Sequence, residues 1–396
     1  MVYLHVPFCR SFCTYCDFYS EIACRGRDAQ DFELYTEAVC AEASRRRDEI
    51  EATRDLNTLY IGGGTPSVLP SSYLRRLADA VGGAPFTEFT VEVNPEDIVE
   101  KGEAYVRELL ALGVNRVSMG VQSLDDGILR WMNRRHDAAR AREAFRILRA
   151  AGVRNVSVDL IFGLSQLSEA VFAETLREVL AWRPEHVSAY QLSIEEGSAL
   201  AELVRSGRYS EAPQEQCAAQ YRQLCDALRA AGYVHYEISN WALPGHEAVH
   251  NGAYWSRHPY VGLGPAAHSF DGHSRSWNPE TITFAHAATA SGNRATLGIV
   301  RGRGPSSDGR GPAQPDVSGG SSPLREGYER LSAEEAREEE IMLGLRTAKG
   351  IAAERVDAAK AAQMLADGRL AQTGDGRLRI PEDAWFVSDD IIADLV

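Results

Sequence analysis

Long apolar runs are missing from this 396-residue chain. No stretch approaches the ~18 consecutive apolar residues that a membrane helix needs. The opening VYLHV is preceded by neither the basic nor the apolar segment of a secretion signal, so a cytoplasmic location is expected. Positive charge is also in deficit: 42 Lys and Arg stand against 56 Asp and Glu, a formal net charge of −14. That balance excludes broad nucleic-acid binding, which depends on basic surface displacing phosphate counterions. The cysteines number seven, and without an export signal they are poor evidence for a disulfide framework and better evidence for metal, redox or core use in a reducing compartment. A hydrophobic fraction of 44% is ample for a buried core.

Short β-branched runs alternate with longer helical patterns. VYLHV is followed by helical spacing over 32–50, TLYIGGG by 73–81, and FTVEVNP by 104–112; RVSMGVQ, VSVDLIFG and HVSAYQL continue the rhythm. Six such units predict an α/β fold of parallel strands with crossover helices, either a barrel or an open doubly wound sheet. Along FTVEVNP, Phe89, Val91 and Val93 share one face while Glu92 and Asn94 share the other, and Asp159 opposes Val158 and Leu160 in the same way. Inward carboxylates towards the C-terminal ends of strands are where barrel enzymes keep their chemistry; a structural hydrogen-bond network would use the same pattern.

Composition divides the chain further. Residues 1–235 carry the strand and helix units, 236–300 form an extension, and 301–324 are almost wholly Gly, Pro, Ser and small polar or charged residues, as in a linker or surface loop. Residues 325–396 read as a small α-rich, winged-helix-like domain with a hairpin, its first helix opened by Ser332 with Glu335 three residues on, the spacing of a capping box.

The densest chemistry lies at residues 5–20, HVPFCRSFCTYCDFYS. Cys9, Cys13 and Cys16, spaced C-x3-C-x2-C, bring three thiolates round one point. A [4Fe–4S] cluster held this way keeps one iron open. Phe8, Phe12, Tyr15 and Phe18 are expected to screen it from water. A zinc site with His5 as fourth ligand and three unrelated buried thiols are the alternatives. Cys217 and Cys225 follow the apolar spacing of a helix with Tyr221, Leu224 and Leu228 and read as core, and Cys24 and Cys40 have no partner in sequence. GGGTPS lets the backbone approach a ligand, and it is neither a dinucleotide fingerprint nor a phosphate loop.

HVPFCRSFCTYC, YIGGGTPS, VEVNPE, NRVSMGVQS and VDLIFGL, in that order, resemble the radical S-adenosylmethionine superfamily. Within it the resemblance is to the group of oxygen-independent coproporphyrinogen III oxidases and HemW-type heme chaperones, over nearly the whole chain outside the Gly/Pro-rich stretch. It implies a partial (β/α)6-type barrel, a [4Fe–4S] cluster on Cys9, Cys13 and Cys16, and S-adenosylmethionine contacts at Tyr3, Gly63, Gly64, Thr65, Glu92, Gln122, Arg134 and Asp159. Some of those contacts belong, in the oxidases, to a second S-adenosylmethionine. One departure is GLSQLS at 163–168, where the group usually has GLPGQT.

The two branches differ at residue 18. The oxidases usually place a fourth cysteine there, and the chaperone branch places Phe, as this chain does with Phe18. The chaperone branch also carries an H-N-x-x-Y-W motif associated with heme, here His250, Asn251, Tyr254 and Trp255, with His246, His258 and His268 as nearby competitors for an iron. The resemblance therefore implies a heme chaperone that binds heme, cluster and S-adenosylmethionine and passes heme to an acceptor protein, with an electron donor if the cluster is reduced. Peripheral contact with a membrane-bound acceptor is compatible with that role. The alternatives are radical decarboxylation of coproporphyrinogen III and radical chemistry on another substrate. Arg134, Arg135 and Arg257 are candidates for the positive charge that porphyrin propionates require.

Overall fold

The computed structural model describes residues 1–23, 26–282 and 326–396; the Gly/Pro/Ser-rich stretch 301–324 and Cys24 lie outside the described residues. The six predicted strands form: β1 (Val2–Val6), β2 (Thr58–Gly63), β3 (Glu88–Val93), β4 (Arg116–Gln122), β5 (Val156–Phe162) and β6 (His186–Gln191). They lie side by side in that order, each parallel to the next. The connecting helices α1 (Asp28–Arg45), α2 (Ser71–Val81), α3 (Pro95–Ala111), α4 (Ala138–Ala151) and α5 (Glu169–Trp182) cover the outer face.

Alternation decides what each face carries. On β3, Phe89 and Val91 are fully buried against the helices, while Glu92 turns inward to line a cavity and Thr90, also buried, shares its parity. Asn94 caps α3 by accepting from the Glu96 N–H, with Pro95 in the first turn. The helix expected at 104–112 therefore begins earlier, and Gly102 at φ 67° breaks it in the middle, which hid its first half from periodicity. The GLSQLS departure has a local use: Ser168 accepts from the Val171 N–H and caps α5.

Short strands extend the sheet at both ends. After helix α6 (Gln214–Ala230), β7 (Val234–Glu237) and β8 (Asn240–Ala242) pair antiparallel beyond β6, and β9 (Val261–Leu263), reached through helix α7 (Val249–Trp255), joins β1 in parallel. The result is one nine-stranded mixed sheet in the order β9-β1-β2-β3-β4-β5-β6-β8-β7. A second sheet stacks β10 (His268–Phe270), β11 (Ser274–Trp277) and β12 (Gly327–Arg330). The tail follows with α8 (Ala333–Leu345), α9 (Ala358–Ala366), a two-residue hairpin pair and α10 (Ser388–Ala393). Ser332 and Glu335 form the expected capping box.

The tail is packed on the sheet domain through its aromatic residues. Trp385 is 2% exposed and meets the ring of His235 edge-on at 4.2 Å, while that ring stacks on Trp241 at 4.1 Å. Cys217 and Cys225 are buried on α6, as their spacing predicts. No helix among the described residues is long and apolar enough to cross a membrane.

Candidate functional site

The inward faces of β1 to β6 and the loop after β1 enclose a cavity of about 690 Å³. Cys9, Cys13 and Cys16 line it, all three free. Burial pushes the Cys16 thiol up to about 12 and raises Cys9 as well, so cations are needed beside both for the thiolate form. Arg134 supplies one for Cys9, opposing the rise there; it donates through Nη1 to Cys13 Sγ at 3.5 Å and through Nη2 to the Gly120 carbonyl at 2.7 Å.

Local contacts explain why the loop folds here. Phe8 is buried edge-on against Phe32 and Tyr35, so it anchors the loop to the core and does not screen the thiols. Phe12 and Phe18 reach the cavity wall yet stay exposed, at 47% and 66%, and only Tyr15 of the four aromatics both touches the cavity and packs on the core. Asn133 donates to the Phe12 carbonyl and Met132 accepts from the Thr14 N–H, tying the MNRRH segment to the cysteine loop.

The GGGTPS glycines have a steric reason. A Cβ on Gly64 would meet the backbone of residues 6–8 at 2.9 Å, and Gly63 sits at φ 107° with its Cβ position 2.5 Å from the His5 ring. The Gly64 and Thr65 N–H groups bind the Val6 and Phe8 carbonyls, so the strand end lies directly under the cysteine loop. His5 engages Tyr3 and the Tyr19 carbonyl through its two ring nitrogens. A zinc ligand at His5 would have to give up one of these two bonds.

Deeper in the cavity, Glu92 accepts from Tyr60 Oη at 2.7 Å and from the Gly63 N–H at 3.1 Å. Burial first, and then the nearby Asp159, raise its pKa to about 7. Asp159 is raised by burial too, although Ser118 and Ser157 both donate to it. Gln122 ends β4 at φ 65°, beyond a register shift that turns its side chain into the cavity.

His250, Asn251 and Tyr254 reach the same cavity, and Trp255 does not line it. His250 is 1% exposed, with Nδ1 on Thr58 Oγ1 at 2.8 Å and Nε2 on Tyr254 Oη at 3.1 Å. Burial holds its pKa down at about 3, so the ring is neutral, the form that ligates a metal. Asn251 donates to Glu237. Of the competitors, His258 binds Asp55 and His268 stacks on Trp277; neither they nor His246 line the cavity. Arg135 lines it and pairs with Glu96 and Asp97, whereas Arg257 is held outside by Glu339.

Several wall residues were not singled out by the sequence, although Tyr60 lies in YIGGGTPS and Arg116 in NRVSMGVQS. Arg116, Tyr60, His186, Tyr190 and Asn240 all face the cavity. Arg116 shares parity with Ser118, Gly120 and Gln122 along β4, and that alternation was the one signal available.

A half-barrel of parallel strands with three free cysteines in the loop after its first strand defines the class of protein. Residues 3–179 match the family model of the Radical SAM superfamily. The chain is 35% identical over 395 residues to "Heme chaperone HemW" of Mycobacterium tuberculosis (strain ATCC 25618 / H37Rv), covering 95% of this chain and 92% of that protein. It is 31% identical to the protein of the same name from Bacillus subtilis (strain 168), covering 89% and 85%. The solved coproporphyrinogen III oxidase (HemN) from Escherichia coli superposes with a TM-score of 0.73 over 99% of this chain and 89% of that one, at 18% identity, a likeness of fold. The chain belongs to the radical S-adenosylmethionine superfamily, in its HemW family.

Proposed function

We propose that the protein is a heme chaperone, carrying a [4Fe–4S] cluster and S-adenosylmethionine, that hands heme to an acceptor protein in the cytoplasm. The observation that carries the reading is convergence: the three cysteines and His250, Asn251 and Tyr254, 234 or more residues later in the chain, line one cavity.

The residues present fit the two cofactors. Three free thiols lining one cavity suit a cluster with one open iron. Arg134, whose Nε is buried without a partner, puts positive charge beside Cys13. Tyr3, Gly63, Gly64, Thr65, Glu92, Gln122 and Asp159 border the space beside the thiols, where the glycines let the strand end pack closely under the cysteine loop and Glu92 offers a carboxylate for hydroxyl donors. When bound, the cluster would supply one electron to the sulfonium and so the means to form a 5′-deoxyadenosyl radical. The protein's own part is placement and water exclusion.

For heme, the neutral His250 is a ready iron ligand once its Nε2 leaves Tyr254, and Tyr60, Tyr190 and Tyr254 offer rings for a macrocycle. The test is an anaerobic titration of the cluster-loaded protein with heme, with coproporphyrin III as competitor. Saturation near one heme per chain, resistant to the competitor, supports the chaperone. Absence of saturable heme binding together with consumption of coproporphyrinogen III defeats it in favour of the oxidase.

A further inference from the structure

Arg116 opens β4 with its side chain turned to the cavity floor, and it is 3% exposed. A guanidinium has five N–H donors and cannot shed its proton, so burying it without acceptors is costly. Yet Arg116 Nε has no hydrogen-bond partner. The two carboxylates within its electrostatic reach are engaged elsewhere: Glu92 binds Tyr60 and Gly63, and Asp159 binds Ser118 and Ser157. His186 beside it uses both ring nitrogens, on Ser157 and Tyr236. Thr90, the register partner of Arg116 on β3, likewise has a buried hydroxyl with no partner. Arg116 thus stands with an unsatisfied donor at the floor of a cavity that the other motifs line, and its neighbour Thr90, buried behind that wall, offers it no hydrogen bond.

We propose that Arg116 is the receptor for a carboxylate of the cavity's ligand. A guanidinium matches a carboxylate with two parallel N–H···O bonds, and in a buried site that pairing is both strong and selective. The inference rests on the heme and S-adenosylmethionine reading above, because both ligands carry carboxylates: the porphyrin propionates and the methionyl group. Depth favours the propionate. Arg134 joins Cys13 to Gly120, so the thiols lie level with Gly120. Arg116 is four residues earlier on the strand, roughly 13 Å further down at a strand's rise per residue. A methionyl carboxylate that chelates the open iron stays near the top, and a macrocycle spans the difference.

The experiment compares each acid with its carboxylate-free analogue, using the full chain with its cluster rebuilt anaerobically. Heme against heme dimethyl ester forms one pair, and S-adenosylmethionine against its decarboxylated form the other; each is titrated into wild type, Arg116→Gln and Arg116→Lys. The expected result is that Arg116→Gln loses about tenfold or more in affinity for heme while the dimethyl ester is unaffected, as for a lost charge-assisted hydrogen bond. Arg116→Lys, which keeps the charge and loses the fork, should fall between, and it carries the test if the Gln variant does not fold. A selective loss in the S-adenosylmethionine pair instead would support the receptor and assign it to the methionyl carboxylate. Equal change, or none, in the acid and its analogue in both pairs would overturn the inference and leave Arg116 a counter-ion of Glu92 and Asp159. If wild type takes up neither heme nor its ester, the chaperone reading fails by itself, and the S-adenosylmethionine pair still decides Arg116; if wild type binds none of the four, both fail.

Discussion

Arg134 joins Cys13 Sγ, at 3.5 Å, to the carbonyl of Gly120, at 2.7 Å, so one side chain couples the cysteine loop to the centre of the sheet. Its charge sits where a cluster's negative charge would be stabilised. Arg134→Gln should therefore lower the reduction potential of the reconstituted cluster by tens of millivolts, because the reduced form loses a neighbouring cation. A redox titration followed by electron paramagnetic resonance measures it, and an unchanged potential would mean the guanidinium only braces the loop.

The cysteines divide into two sets. Replacing Cys9, Cys13 or Cys16 with Ser should abolish the four-iron absorption, whereas Cys225→Ser should leave iron and sulfide content at the wild-type level. Cys225 is buried on α6 beside His235 and Glu382, on the side facing the tail. Iron analysis of the four variants checks the division, and loss of iron in Cys225→Ser would contradict it.

Glu92 gives a pH signature. Its pKa is about 7 in the fold against an ordinary 4.5, so the native state holds the proton more tightly than the unfolded chain. Its contribution to stability is complete below pH 4.5 and is lost as pH rises towards 7. Glu92→Gln, which mimics the protonated form, should match wild type near pH 4.5 and exceed it at pH 8 by on the order of 3 kcal/mol in the cofactor-free protein. Denaturant melts at the two pH values test this. Equal differences at both would show that Glu92 is ionised throughout.

His250 is tied to Tyr254 through the nitrogen a heme iron would need. Tyr254→Phe frees that nitrogen and should tighten heme several-fold with an unchanged axial signature, while His250→Ala should weaken binding and shift the Soret band. If His250→Ala leaves affinity and spectrum as they were, the ligand lies elsewhere.

The contact between the tail and the sheet can be weighed separately. Trp385 is buried against His235, and Glu382 accepts from both His235 at 3.1 Å and Arg229 at 3.0 Å. Trp385→Ala should cost ~3–5 kcal/mol, the usual loss for a buried tryptophan. Glu382→Gln should cost far less, since Arg229 is half exposed. Differential scanning calorimetry of the two variants distinguishes packing from the ion pair.

The parallel strands were legible because each alternates cleanly: Phe89 and Val91 against Glu92, Val158 and Leu160 against Asp159. The strands that complete the sheet were not, since β8 and β9 have three residues each and three residues cannot display a period. Motif spacing pointed to the cysteines and the glycines. The partners that orient His250 were out of reach in sequence, because Thr58 lies 192 residues away and the hydrogen bond exists only through the fold. Arg116 could have been found by parity alone, yet among β-branched neighbours it looked like a strand end.

Strand β12 returns to β11 so that Gly327 faces Trp277, and the Glu326 N–H binds the Trp277 carbonyl at 2.9 Å. The chain leaves and re-enters the second sheet at neighbouring points. A Cβ at position 327 would collide with the Trp277 indole, so the edge at which the second sheet closes is a place where the absence of a side chain, and not the presence of one, makes the contact.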